Sequence, residues 1–337
     1  MTSTTTSLPI IDLSPFLSSS STPESRLKTA KELVQACHST GFVYITNYGI
    51  SQALLDEAFS WSKKFYSLSD EEKSYAAHPP DSKLFRGWSK VGHEMIPPLE
   101  GEKKEGVMDF TLWHGHDSNA AQPNIWFPES ILPGYRDFVA TFYDQCWSTS
   151  VPILRALSLG LLNDEEYLLD FHSNLENELS FRHYPSISES KVRSGELDRL
   201  GAHTDFDSFT LLWQDENAGL EVKVSGEGWK SVQAVKGALL MNIGDILSRW
   251  SNDYLISTLH RVHLPPVDDN YMGDENVRMT KPRYSIPYFV VPKSDKVLEP
   301  LEGYFGEGKD KKYEPTTYSE LYHNRVDGIF RQDAKAR

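Results

Sequence analysis

Ala202-His203-Thr204-Asp205 leads into Phe209-Thr210-Leu211-Leu212-Trp213. The second run has the β-branched and aromatic content of a strand. In an extended chain residues two apart share a face, so His203 and Asp205 leave the same side. The arrangement recurs downstream, where Arg283 and Ser285 stand two apart in Arg283-Tyr284-Ser285-Ile286-Pro287-Tyr288-Phe289. Two same-face polar pairs set in apolar strands are hard to explain as plain core, because buried polar groups need partners. From about Glu178 to Val291 the hydrophobic period is two, with turns such as Ser225-Gly226-Glu227-Gly228 between short apolar runs. Many short strands without intervening helices predict a sandwich or jelly roll.

Outside this stretch the period changes. Thr22-Pro23 opens a helix in which Leu27, Ala30, Leu33, Val34 and Cys37 form one face, with Thr as cap and Pro in the first turn. Ser51 caps a second helix, and Ser69 with Glu72 makes a capping box for a short third. A long helical pattern runs from Tyr135 to Leu162, and Thr317 with Glu320 caps a last helix. Pro9–Leu13 and Gly41–Asn47 read as strands, and residues 78–130 read as loop-rich.

Two imidazoles and one carboxylate are the ligand set of the facial triad that holds non-haem Fe(II) and leaves positions open for reactants. His203 and Asp205, with His260 in Thr258-Leu259-His260-Arg261-Val262, supply that set in order. Singly the pieces say little. A His-x-Asp arises readily by chance in a chain with 11 His, and a lone His in a strand is ordinarily a hydrogen-bonded core residue. Arg283 adds meaning, because a planar guanidinium suits a carboxylate-bearing co-substrate. The set predicts an oxygen-using iron enzyme. His114-Gly115-His116-Asp117 is a rival ligand cluster, read here as an exposed loop without a distal ligand.

The chain has 337 residues and a formal net charge of −14. That charge argues against nucleic acid and anionic membrane surfaces as partners. Cys37 and Cys146 lie in helical apolar patterns and are expected to be buried, reduced thiols. No stretch approaches the apolar length of a membrane span, and the Ser/Thr-rich start lacks the basic and apolar regions of a signal peptide. A cytoplasmic protein acting on a small molecule is the expectation.

The chain resembles the Fe(II)- and 2-oxoglutarate-dependent dioxygenases of the isopenicillin-N-synthase-like branch. The blocks that carry the likeness include Thr40-Gly41-Phe42-Val43-Tyr44-Ile45, Arg86-Gly87-Trp88 with Gly92 and Glu94, Arg182-His183-Tyr184-Pro185, His203-Thr204-Asp205-Phe206, Asn242-Ile243-Gly244-Asp245, Ser257-Thr258-Leu259-His260 and Arg283-Tyr284-Ser285. Within the branch it is most similar to fungal members such as thymine 7-hydroxylase and secondary-metabolite tailoring oxygenases. The resemblance implies a mainly β chain with flanking α: a double-stranded β-helix, or jelly roll, wrapped by N-terminal and central helices. It implies one domain over 1–337, with residues 8–177 as a mostly helical wrapping region, 178–298 as the core and 299–337 as a C-terminal extension with a helix.

The resemblance also implies the roles. His203, Asp205 and His260 are the expected catalytic metal ligands. Arg283, Ser285 and Tyr184 are expected to bind 2-oxoglutarate, with O2 as the other co-substrate and ascorbate as a possible aid. Phe206, Arg182, Phe289 and Asp207 are the candidates to line the substrate cavity. The implied reaction converts 2-oxoglutarate to succinate and CO2 and hydroxylates or otherwise oxidises a C–H bond, in fungal secondary metabolism or on a thymine-type nucleobase. A same-fold oxidase that needs no 2-oxoglutarate, a binding-only jelly roll and a zinc hydrolase stay open at this level. Two departures bear on substrate. Asp207 stands where the family has Gly, and the acidic, turn-rich insert between His260 and Arg283, over 267–282, is longer than usual; it reads as an elongated hairpin that helps to select substrate.

Overall fold

The structure, a computed structural model, describes residues 8–79, 84–90, 110–266, 270–273, 278–306 and 308–330, with side chains of the last helix through Asn324. Strand β1 (Ile10–Asp12) lies parallel to β2 (Phe42–Thr46), and α1 (Ser14–Leu17) and α2 (Pro23–Ser39) join them. Next come α3 (Gln52–Tyr66), α4 (Asp70–Ser74), β3 (Gly87–Ser89), β4 (Phe110–His114), α5 (Tyr135–Leu162) and α6 (Tyr167–Asp170). The strand-rich part holds β5 (Glu178–Tyr184), α7 (Glu189–Arg193), β6 (Leu200–His203), β7 (Phe209–Gln214), β8 (Leu220–Val224), β9 (Gly228–Ser231) and β10 (Ala238–Ile243). It continues through α8 (Asp245–Trp250), β11 (His260–Val262), β12 (Tyr271–Met272), β13 (Met279–Thr280) and β14 (Arg283–Val290). Strands β15 (Val297–Leu298) and β16 (Thr316–Thr317) precede α9 (Tyr318–Phe330).

The helix starts are chemically determined. Thr22 Oγ1 accepts from the Ser25 amide, Ser51 Oγ from the Leu54 amide, and Ser69 with Glu72 closes a reciprocal capping box. Thr317 and Glu320 do the same for α9. Among the described residues the strands form a large sheet, β1-β2-β10-β7-β14-β5-β4-β3, and a small one, β6-β11-β8-β9. Period-two alternation divides the large sheet's faces. Val43, Ile45, Leu211, Trp213, Leu239, Met241, Ile286 and Tyr288 join the main core with α2, α3 and α5. Phe42, Tyr44 and Leu240 face the other way, against Leu220, Val222 and Val232 of the small-sheet side. Two facing, mainly antiparallel sheets with helices on the outer face of one make a jelly roll.

The described part of residues 78–130 holds two strands where the sequence suggests loop. Strands β3 and β4 extend the large sheet beyond β5, with Leu112 opposite Phe181. The large sheet therefore draws four of its eight strands from before Glu178. Cys37 and Cys146 are buried and unpaired.

One glycine ties the N-terminal region to the strand that carries His260. Gly41 has φ +69°, and a Cβ there would collide with the Ile256 carbonyl oxygen and lie 2.5 Å from Thr258 Oγ1. Both the conformation and the space require glycine. Gly41→Ala is expected to cost about 3–5 kcal/mol, read as a lowered denaturant midpoint with unchanged slope. An unmoved midpoint would refute the steric argument.

Candidate active site

His203 ends β6 and is the direct register partner of His260, the first residue of β11. The rings stand side by side, centroids 4.2 Å apart. Each Nδ1 lies against a carbonyl oxygen two residues back in its own chain: His203 on Gly201 at 2.9 Å and His260 on Thr258 at 3.1 Å. A carbonyl only accepts, so the proton sits on Nδ1 and Nε2 keeps its lone pair. Asp205 lies just beyond the end of β6, not within it. Its Oδ1 is 3.6 Å from His203 Nε2 and 3.5 Å from His260 Nε2. Those separations are long for hydrogen bonds and suit donor atoms set around one cation. The ligand atoms all lie within 4.8 Å of one another, the one such group of three or more among the described residues.

The other oxygen of Asp205 is held from behind. Oδ2 accepts from Thr210 Oγ1 at 2.5 Å and from Asn242 Nδ2 at 2.7 Å. Thr210 Oγ1 is also 2.8 Å from Asp207 Oδ2. A hydroxyl has one proton, so it donates to one carboxyl and accepts from the other. Burial and the neighbouring Asp205 raise Asp207 well above the usual carboxyl range. The backbone is pinned as well. The Asp245 and Ile246 amides, at the start of α8, donate to the Asp205 and Asp207 carbonyls at 2.8 and 3.0 Å. Asp245 accepts from Thr204 Oγ1 and Ser257 Oγ at 3.0 and 2.7 Å. Gly244 makes this approach possible, since a Cβ there would collide with the Asp207 carbonyl oxygen.

At the other end of the site, Arg283 begins β14 opposite Tyr184 of β5, and Ser285 sits between Arg182 and Gln214. Arg283 is 1% exposed. Its Nη1 donates to Ser285 Oγ at 3.3 Å and its Nη2 to Gln214 Oε1 at 3.0 Å, while Nε has no partner. No ion pair reaches this guanidinium among the described residues. A buried cation with spare donors and no carboxylate is costly by itself, and it fits an anionic ligand. The donor set and the orphaned Nε thus suit Fe(II) at one end and a dicarboxylate at the other.

The triad, Arg283, Ser285, Tyr184, Arg182 and Phe289 line one cavity between the two sheets, walled by Phe42, Leu212, Leu220 and Val262. The Arg182 guanidinium lies over the rings of Trp113 and Phe289, at 5.4 and 5.8 Å. Two expected lining residues lie elsewhere. The Phe206 ring stacks toward Tyr318 of α9, 6.2 Å between centroids, because the turn after Asp205 swings it to that side. Asp207 is buried behind Asp205, its carboxyl taken up by Thr210. Thr210, Asn242 and Gln214 were missed as site residues. Their signal is period two: polar side chains set in two apolar strands, Thr210 and Gln214 in β7 and Asn242 in β10.

Of the His114-Gly115-His116-Asp117 cluster, only His114 departs from the expected loop; His116 and Asp117 lie in the turn that follows β4, with Asp117 exposed. His114 ends β4 and is fully buried, its Nε2 3.0 Å from the Tyr135 hydroxyl and its ring stacked on Trp126 at 4.7 Å. Its strand alternation places it in the core. Burial, with Arg86 adding to it, lowers its pKa to about 3; burial lowers that of the equally enclosed His172 to about 4. Both folded values lie below the unfolded one, so this stability is complete above about pH 6.5 and is lost as pH falls toward the folded values. These two groups are expected to cost about 2–3 kcal/mol between pH 7.5 and 5.5, measured by denaturant unfolding. Equal stability at both pH values would contradict it.

The insert forms a hairpin stem, Tyr271 opposite Thr280, with Tyr271 beside Ile187, Val192 and Leu264 and under the Arg278 guanidinium at 4.1 Å. Residues 267–269 and 274–277 of it, like Gly92 and Glu94, lie outside the described residues. Among the described residues no helix is long and apolar enough to cross a membrane.

Two family models match the chain: the non-haem dioxygenase in morphine synthesis N-terminal family over residues 8–129, and the 2OG-Fe(II) oxygenase superfamily over residues 175–292. The 2-oxoglutarate-Fe(II) type oxidoreductase ppzD of Metarhizium majus is 35% identical over 84% of this chain and 84% of its own. The proline hydroxylase buaE of Petromyces alliaceus is 33% identical over 90% of this chain and 93% of its own. The crystal structure of the full-length thymine 7-hydroxylase of Neurospora crassa with alpha-KG and thymine superposes with a TM-score of 0.83 at 30% identity, covering 95% of this chain and 96% of that one.

Proposed function

Because this chain belongs to the 2OG-Fe(II) oxygenase superfamily, we propose that His203, Asp205 and His260 hold its iron and that Arg283 and Ser285 hold the distal carboxylate of its 2-oxoglutarate. When bound, iron and 2-oxoglutarate supply the oxidation: O2 and the oxo acid are consumed, succinate and CO2 leave, and a C–H bond of a small organic molecule is oxidised. The chain's own residues position and exclude. Asn242 and Thr210 aim Asp205 at the two imidazoles, and the Gly201 and Thr258 carbonyls keep both rings in the ligating tautomer. Tyr184 packs its ring against the Arg283 guanidinium at 4.9 Å. The apolar walls keep water from the reacting carbon. The observation that carries this reading is the convergence of two Nε2 atoms and one carboxylate oxygen in the same cavity as a buried arginine whose Nε has no partner.

For the primary substrate we propose an amino-acid-derived intermediate of fungal secondary metabolism, as the relative named a proline hydroxylase suggests. Arg182 and Phe289 would meet it, one with a charged fork and one with a ring face. A pyrimidine base is the second reading, favoured by the thymine-bound Neurospora structure. The test is succinate release from 2-oxoglutarate with Fe(II), with and without candidates. L-proline, proline-containing peptides and thymine should separate the two readings by which one stimulates succinate release. Absence of any 2-oxoglutarate consumption by iron-loaded protein, with or without a candidate, would count against the co-substrate assignment.

A further inference from the structure

We infer that Arg199 is a positioning residue of the co-substrate pocket: from beside the Tyr184 ring that it shares with Arg283, it supplies a second positive charge for the distal carboxylate of 2-oxoglutarate. The inference rests on the reading of Arg283 as the residue that holds that carboxylate.

Arg199 precedes β6, the strand that ends at His203. It is as buried as Arg283, 1% exposed. Its Nη2 donates to the Lys281 carbonyl at 3.1 Å and, at the limit of a bond, to the Tyr184 carbonyl at 3.5 Å. Its Nε and Nη1 have no partner, and no ion pair reaches it among the described residues. Both cations lie near the Tyr184 ring, with Arg283 Cζ at 4.9 Å and Arg199 Cζ at 5.7 Å from its centroid. Burying one unpaired guanidinium is expensive, and setting two like charges about one ring adds repulsion. The acid near them, Asp215, accepts instead from the Tyr284 and Asn217 amides at 2.8 and 3.0 Å. Burial and Arg283 lower the Arg199 pKa only to about 10, so the charge persists at neutral pH. Arg283 alone would offset one negative charge. A second cation beside Tyr184 makes this end of the cavity selective for a ligand that ends in charge over one that ends in a methyl group. Gly219 leaves the room: a Cβ there would be 3.4 Å from Arg199 Nη1 and 2.9 Å from the His263 carbonyl oxygen.

The test compares two ligands of equal length, 2-oxoglutarate and 2-oxopentanoate, which carries a methyl in place of the distal carboxylate. Binding to the Mn(II)-loaded protein is measured by calorimetry for wild type, Arg199→Gln, Arg199→Met and Arg199→Lys. The Gln and Met variants are expected to lose roughly tenfold in affinity for 2-oxoglutarate and nothing for 2-oxopentanoate. The Lys variant keeps most of the 2-oxoglutarate affinity. Equal losses for both ligands in any variant would mean that Arg199 only holds the fold, and no loss for either ligand in the Gln and Met variants would mean that its charge is not felt; each overturns the inference. If one neutral variant does not fold, the other decides, since a structural role would weaken both ligands together. Arg283→Gln in the same titration separates the premise. Should it fail to lose 2-oxoglutarate selectively, the Arg283 reading falls and the inference with it.

Discussion

Asp205→Ala is expected to abolish high-affinity iron binding and bring substrate-dependent turnover to background. The carboxylate is the one anionic donor in the group, and its removal leaves two neutral imidazoles that cannot offset the charge of a divalent cation. The fold should survive, because the backbone of this turn is pinned by the Asp245 and Ile246 amides rather than by the side chain. Iron content after gel filtration and succinate release check the two halves. Retained iron with wild-type activity would end the assignment. The residues behind the carboxylate give a graded version: Asn242→Ala and Thr210→Val should each weaken metal affinity by roughly 10- to 100-fold, because each releases one lock on Oδ2.

Arg283→Gln should raise the Kd for 2-oxoglutarate by roughly 30-fold or more, corresponding to the loss of about 2–5 kcal/mol when one partner of a buried charge pair is removed. Arg283→Lys keeps the charge but cannot donate to Ser285, Gln214 and a carboxylate from one planar fork, so it should recover only part of the affinity. Iron binding should be untouched in both, since Arg283 makes no bond to a triad side chain. The KM for 2-oxoglutarate and a direct titration report the effect. An unchanged KM in both variants would show that the arginine serves another group.

The parts of this site that were legible in sequence are those with local periodicity. His203 and Asp205, Arg283 and Ser285 are each two apart, and the apolar run Phe209–Trp213 declared its strand. The helix caps at Thr22, Ser51, Ser69 and Thr317 were readable because a cap is made within four residues. What escaped depends on distant pairing. Nothing near Phe110 announces that β4 extends a sheet whose neighbour is β5, so His114 passed for loop when it is core. Phe206 and Asp207 follow a ligand, and adjacency suggested that they face the cavity. The turn sends one toward α9 and the other behind Asp205. Thr210 and Asn242 sit in apolar strands, where their spacing shows a face but not which carboxylate will meet them. Arg199 has no local signal at all; its meaning comes from the Tyr184 ring that it shares with Arg283.

The pairing of β2 with β10 sets a condition on how the chain comes to be folded. Phe42 is opposite Asn242 and Thr46 opposite Ala238, so on the ribosome the apolar strand Phe42-Val43-Tyr44-Ile45 emerges long before its antiparallel partner. Until Ile243 is out, one edge of β2 offers unpaired amides and carbonyls to any other nascent chain. Such long-range closure is slow, and a waiting hydrophobic strand is the usual point of entry for aggregation. Lower growth temperature and slower synthesis should therefore raise the yield of soluble protein, and fragments ending before Ala238 should accumulate as insoluble material.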